Sequence, residues 1–112
     1  MKFAIPLAEG KLCSHFGHCE CFAILETDSS NEKISTRVDA VPPPHESGVL
    51  PRWLADLNVN VIIAGGMGQR AQQLFNENKI KVIVGAQNEF PETLVEQYLA
   101  GTLTSGSNIC DH

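Results

Sequence analysis

The chain has 112 residues, with 8 Lys plus Arg against 13 Asp plus Glu and a formal net charge of −5. That length suits one compact domain, and the acidic balance argues against nucleic acid as a partner, because nucleic-acid affinity comes mainly from a basic surface. Hydrophobic residues make up 43% and charged residues 19%, an ordinary globular composition that excludes global disorder.

No apolar run approaches the ~20 residues needed to cross a bilayer. The opening residues 1–7 run too soon into Glu9 and Lys11 to read as a secretory signal. The expected location is therefore cytoplasmic, with no membrane partner.

In chain order, residues 2–7 form an apolar run ending near Pro6 and predict a short buried strand. A polar, Gly-containing loop is expected over residues 8–18. Cys21–Thr27 predicts a second strand. Residues 28–33 carry turn chemistry, and Ile34, Thr36, Val38 and Ala40 alternate with polar residues as in a strand with one wet face. These two strands make a hairpin, which Pro42, Pro43 and Pro44 terminate.

Beyond the prolines the period changes. Leu50, Trp53, Leu54 and Leu57 lie on one helical face, with Ser47 as the expected N-cap. Residues 59–64 are a continuous apolar run suited to a strand covered on both faces. Residues 65–68 form a tight glycine loop. Met67, Ala71, Leu74 and Phe75 give a second helical face, residues 80–84 a fifth strand, and Pro91, Leu94, Val95, Tyr98 and Leu99 a third helix stopped by Gly101.

The order predicts a mixed five-stranded sheet sandwiched between helices, with an N-terminal hairpin and two crossovers. Residues 1–101 form a single α/β cofactor-binding domain, and residues 102–112 a polar tail. Parallel strands deliver their C-terminal loops to one side, where ligands bind in open α/β sheets. The loops at 8–18, 65–68 and 85–89, together with 42–45, are expected to share that rim.

Chemistry-bearing side chains concentrate in those loops. Cys13, His15, His18, Cys19 and Cys21 fall within nine residues, Cys110 and His112 close the chain, and His45 stands alone. Thiolate and imidazole suit zinc, copper and the iron of iron–sulfur clusters. The spacing matches neither a zinc finger nor a ferredoxin. Cys21, at a strand start, reads as a small buried hydrophobe. Cys13, His15, His18, Cys19, His45, Cys110 and His112 are the candidate metal ligands. The tail residues among them either reach back to the rim or pair with a second subunit in a homodimer. Gly66, Met67, Gly68 and Arg70 form a second candidate site. Backbone N–H groups at a helix N-terminus, with Arg70 nearby, attract an anion, and metal–sulfur clusters are themselves net anionic. The Gly66-to-Ala71 spacing also fits a dinucleotide fingerprint, but too few residues follow for a second mononucleotide-binding half.

Nearly the whole chain resembles the dinitrogenase iron–molybdenum cofactor biosynthesis family of small single-domain, nitrogenase-accessory-like proteins. The likeness is carried by the opening residues 1–7, by Ser14-His15-Phe16-Gly17-His18 followed by Phe22, and by Ala64-Gly65-Gly66-Met67-Gly68 with Arg70-Ala71. Val84-Gly85-Ala86 and Tyr98-Leu99-Ala100-Gly101 complete it. The resemblance implies a ribonuclease-H-like three-layer α/β sandwich. It also implies a non-catalytic carrier or scaffold for an iron–sulfur or molybdenum–iron–sulfur cofactor during metallocluster assembly, with a P-loop ATPase iron–sulfur scaffold protein as partner. Many members carry non-sulfur residues where Cys19 and Cys21 stand here.

Other functions compete with a carrier. A nuclease on this fold would need metal-binding carboxylates beginning on the first strand, and residues 2–7 offer none. A zinc or other transition-metal module or metallochaperone, and a thiol–disulfide protein using Cys19 and Cys21, are the remaining alternatives.

Overall fold

A computed structural model describes residues 1–13, 20–28, 30, 33–42, 49–87 and 89–103. The elements are β1 (Lys2–Ala8), β2 (Lys11–Leu12), β3 (Cys21–Thr27), β4 (Ile34–Ala40), α1 (Val49–Asp56), β5 (Val61–Ile63), α2 (Gln69–Glu77), β6 (Lys81–Ile83) and α3 (Pro91–Ala100). The sheet is six-stranded, in the order β4-β3-β1-β5-β6, with β2 paired to β1. β1 runs parallel to β5, and β5 parallel to β6, while β3 is antiparallel to both β1 and β4.

The five-strand expectation is corrected by β2, which sits inside the segment expected to be loop. Glu9 and Gly10 both adopt positive φ (56° and 84°), so a two-residue turn folds the chain straight back, with Ala8 opposite Lys11 and Leu7 opposite Leu12. β1 pairs with β5 only at Phe3 and Ala4. Pro6, which has no N–H to donate, therefore falls between the β5 and β2 pairings, where the ladder is already interrupted.

Alternation along the inner strands divides the core between the two faces of the sheet. Ala4, Phe22, Ile24, Ile62 and Ala64 pack with Leu50 and Leu54 of α1 and Phe75 of α2. Phe3, Ile5, Leu7, Ala23, Leu25, Val61 and Ile63 pack with Leu94 and Val95 of α3. Tyr98 sets its ring edge against Phe3 at 5.1 Å between centroids. Across the outside of the sheet, Arg37 on β4 holds Asp39 at 2.8 Å and reaches Glu92 in the first turn of α3.

The three helices among the described residues end on one device. After α1, α2 and α3 the residues Asn58, Lys79 and Gly101 take left-handed geometry, with φ of 65°, 63° and 74°. In each case the next N–H reaches back five residues: Val59 to the Leu54 carbonyl, Ile80 to Phe75, and Thr102 to Gln97. These are Schellman turns, and their apolar exit residues Val59 and Ile80 join the same core cluster as Leu54 and Phe75. The turns also shorten the strands that follow. β5 and β6 begin at Val61 and Lys81, not at residues 59 and 80 as hydropathy suggests. Lys79 is exposed and carries a Cβ where glycine is at ease, so Lys79→Gly is expected to stabilise the fold by about 0.5–1 kcal/mol in urea unfolding. A loss of stability would contradict the strained-turn account.

Candidate functional site

The C-terminal ends of β1, β4, β5 and β6 lie on one edge of the sheet, as the order of elements requires. Backbone hydrogen bonds tie the loops there to one another. The N–H of Cys13 donates to the Pro6 carbonyl at 2.9 Å and that of Glu20 to the Leu7 carbonyl at 2.7 Å. Both flanks of the Cys/His-rich segment are therefore anchored on adjacent residues at the end of β1. Glu20 Oε1 accepts from the Glu9 N–H at 2.8 Å, binding the β1–β2 turn to the same point. Leu12 donates its N–H to the Glu89 carbonyl at 3.0 Å, and Lys11 Nζ lies 5.1 Å from the centre of the Phe90 ring, so β2 is docked on the loop leading into α3. Gly85 and Ala86 donate to the Gly65 and Ala64 carbonyls, which closes the row.

Candidates from the sequence separate within this frame. Cys13 stands on the rim and is 6% exposed. Gly66 is buried, whereas Gly68 and Arg70 are exposed at the entry to α2. Met67 precedes the helix, and its side chain is fully buried in the cluster beneath, while its carbonyl accepts from Gln72 Nε2 at 2.9 Å. Met67 thus presents backbone to the rim and thioether to the core. His15, His18, Cys19, His45, Cys110 and His112 lie outside the described residues, as does the expected N-cap Ser47.

Cys21 is half-buried at the start of β3. Burial pushes its thiol above the ordinary value, and the negative charges of Asp39 and Glu20 add to the rise against the opposing effect of Arg37. A thiol held in its neutral form is a poor nucleophile and a poor ligand. The expectation of a buried residue is met only in part, since Cys21 packs partly buried against the cluster of Phe3 and Leu25.

The N-termini of α2 and α3 open on the rim, and their chemistry differs. α3 begins with Pro91 at its first turn and carries Glu92 there. Burial acts to raise the Glu92 carboxyl, but its hydrogen bond from Arg37, a backbone hydrogen bond and the Arg37 charge outweigh that and hold it low. This helix start is thereby supplied with a negative charge of its own. α2 has none: its N-cap is Gly68, in extended geometry (φ −65°, ψ 156°), with no side-chain cap and no acidic residue in the first turn. The Gln72 N–H is the first to be taken up, by the Gly68 carbonyl, so the turn before it directs N–H groups outward beside Arg70. A Cβ placed on Gly68 would meet nothing within 4 Å, which leaves room for a ligand to approach the backbone. Glycines mark this loop in the sequence, whereas the β2 hairpin and the Glu20 brace carry no signal there beyond the Glu9-Gly10 pair.

A family profile described as dinitrogenase iron-molybdenum cofactor matches residues 1–101. The chain belongs to that family. An uncharacterized protein of Methanocaldococcus jannaschii is 28% identical over 106 residues, covering 92% of this chain and 89% of the relative. Among solved structures, the crystal structure of PH0822 superposes with a TM-score of 0.86 at 23% identity, covering 97% of each chain. A candidate dinitrogenase from M. jannaschii superposes with a TM-score of 0.74 at 24% identity, covering 96% of each. At such identities these likenesses establish the shared fold. The family match covers the glycine loop, α2 and the flanks of the Cys/His segment alike. Among the described residues, no helix is long and apolar enough to cross a membrane.

Proposed function

We propose that this family member binds an iron–sulfur or molybdenum–iron–sulfur cluster as cargo at the C-terminal edge of its sheet, and holds it for transfer without transforming it. The observation that carries this reading is the uncapped start of α2: outward N–H groups, an open approach at Gly68 and the exposed Arg70 guanidinium, beside the anchored ends of the Cys/His segment. An anionic, sulfur-rich ligand fits both halves of that description, since its charge suits the helix start and its metal suits thiol and imidazole donors. Cys13 and, beyond the described residues, His15, His18, Cys19, His45, Cys110 and His112 are the proposed donors. The ribonuclease-H-like sandwich, a P-loop ATPase iron–sulfur scaffold as delivery partner and a cytoplasmic setting complete the proposal. Catalysis is not part of it: β1 carries no carboxylate of the kind a two-metal nuclease uses, and the raised Cys21 thiol disfavours a dithiol role with Cys19.

The test is anaerobic purification with elemental analysis for Fe, Mo, Cu and Zn and an absorption spectrum. The expected result is bound iron or molybdenum with visible absorption, lowered by His18→Ala and by Cys19→Ala and unchanged by Cys21→Ala. Zinc alone in a colourless protein would favour the transition-metal module, and equal metal in all three variants would overturn the donor assignment.

A further inference from the structure

β4 is an edge strand, and among the described residues no strand pairs with its outer side. It is seven residues long and mostly exposed, with Val38 62% accessible, and has neither the proline nor the lysine that commonly blunts such an edge. A groove of about 260 Å³ opens on the same face as Val38, lined by Ile24, Thr36, Ala40 and Leu57 between Lys2 and Glu26. On the opposite face stand Arg37 and Asp39, the first 31% and the second 49% exposed at the side chain.

The run Thr36-Arg37-Val38-Asp39-Ala40 is complementary to itself when read antiparallel. A twofold axis perpendicular to the sheet and centred on Val38 would place Val38 opposite Val38 of a second copy, and Thr36 opposite Ala40. Arg37 would stand opposite Asp39 twice over, once on each side of the axis. We infer that β4 is a homodimerisation edge, joining two copies of the chain into one continuous antiparallel sheet through this register.

Neighbouring registers are disfavoured by charge. Centring the axis on Arg37 sets the two arginines against each other, and centring it on Asp39 does the same with the aspartates, whereas like charges directly opposite destabilise a strand pair. Arg37 retains guanidinium N–H groups beyond those given to Asp39 and Glu92 of its own chain, so it can bridge to the second copy without releasing them. Affinity would come from main-chain pairing and from burying the Val38 stripe, while the charges fix the register. Because the two β4 strands run in opposite directions, the two rims face opposite ends of the joined sheet, and each stays open to its own ligand.

Sedimentation equilibrium of the full chain from micromolar to millimolar concentration tests the inference. The wild type should pass reversibly from monomer to dimer mass. Asp39→Arg should raise the dissociation constant by about tenfold or more, and the double variant Arg37→Asp with Asp39→Arg, which restores opposite charges, should recover it. Val38→Lys, at an exposed position that leaves the core intact, should also weaken the dimer, with circular dichroism confirming the fold of every variant. A wild type that stays monomeric at millimolar concentration, or an Asp39→Arg variant that dimerises as tightly as the wild type, would overturn it.

Discussion

Replacing Phe22 with alanine is expected to cost about 3–5 kcal/mol, a large share of the ~5–15 kcal/mol that holds a domain of this kind folded. Phe22 is fully buried, is paired across the sheet with Pro6 on one side and Ala40 on the other, and meets the Trp53 ring edge-on at 5.7 Å. One side chain therefore joins β1, β3, β4 and α1, and no single movement closes the space it leaves. Urea unfolding followed by far-UV circular dichroism reads the loss. Phe90→Ala is the control: that ring is 53% exposed and meets Lys11 from outside, so its removal should cost less than about 1 kcal/mol. Equal costs at the two positions would mean that the core does not turn on Phe22.

Much of this architecture was legible in the sequence because burial writes it there. The boundaries of β3 follow from its apolar run and those of β4 from alternation, and the stop of α3 follows from Gly101, where left-handed geometry suits glycine. Asn58 and Lys79 end the other helices in the same way but look like ordinary polar residues, so hydropathy alone makes the strands after them too long. β2 leaves no sequence pattern for a different reason. Two residues carry no period, and Lys11–Leu12 becomes a strand only because β1 outlasts its pairing with β5 and leaves an edge to fill.

The site was legible as a place before it was legible as a set of contacts. Parallel strands bring the loops to one rim whatever their sequence, but apart from the Glu20 carboxylate on the Glu9 N–H the hydrogen bonds described there are made by backbone groups. Pairings such as Leu12 with Glu89 and Glu20 with Leu7 leave no mark on residue type. Met67 carries two readings in the sequence, as a member of the glycine loop and of an apolar helical face, and its full burial places its side chain in the core.

That distinction supports the second large effect. Met67→Ala is expected to destabilise the fold by about 2–5 kcal/mol, since it empties a fully buried position between β5 and α2. Met67→Leu conserves volume and should cost less than about 1.5 kcal/mol. If the loop contributes backbone N–H groups, the leucine variant will load as much metal as the wild type in anaerobic elemental analysis. Loss of metal in a stable Met67→Leu protein would instead make the thioether a ligand, and the side chain would have to leave the core to act as one.

The proposed cargo site can be tested directly from amide NMR signals before and after anaerobic reconstitution with ferrous iron and sulfide. Binding at the C-terminal edge predicts broadening or shifts at Cys13, Glu20, Gly66, Gly68, Arg70 and Gln87, with Asp28, Asn58, Asn60 and Lys79 at the other end of the sheet unchanged. Perturbation centred on that far end, or spread evenly over the chain, would contradict the account.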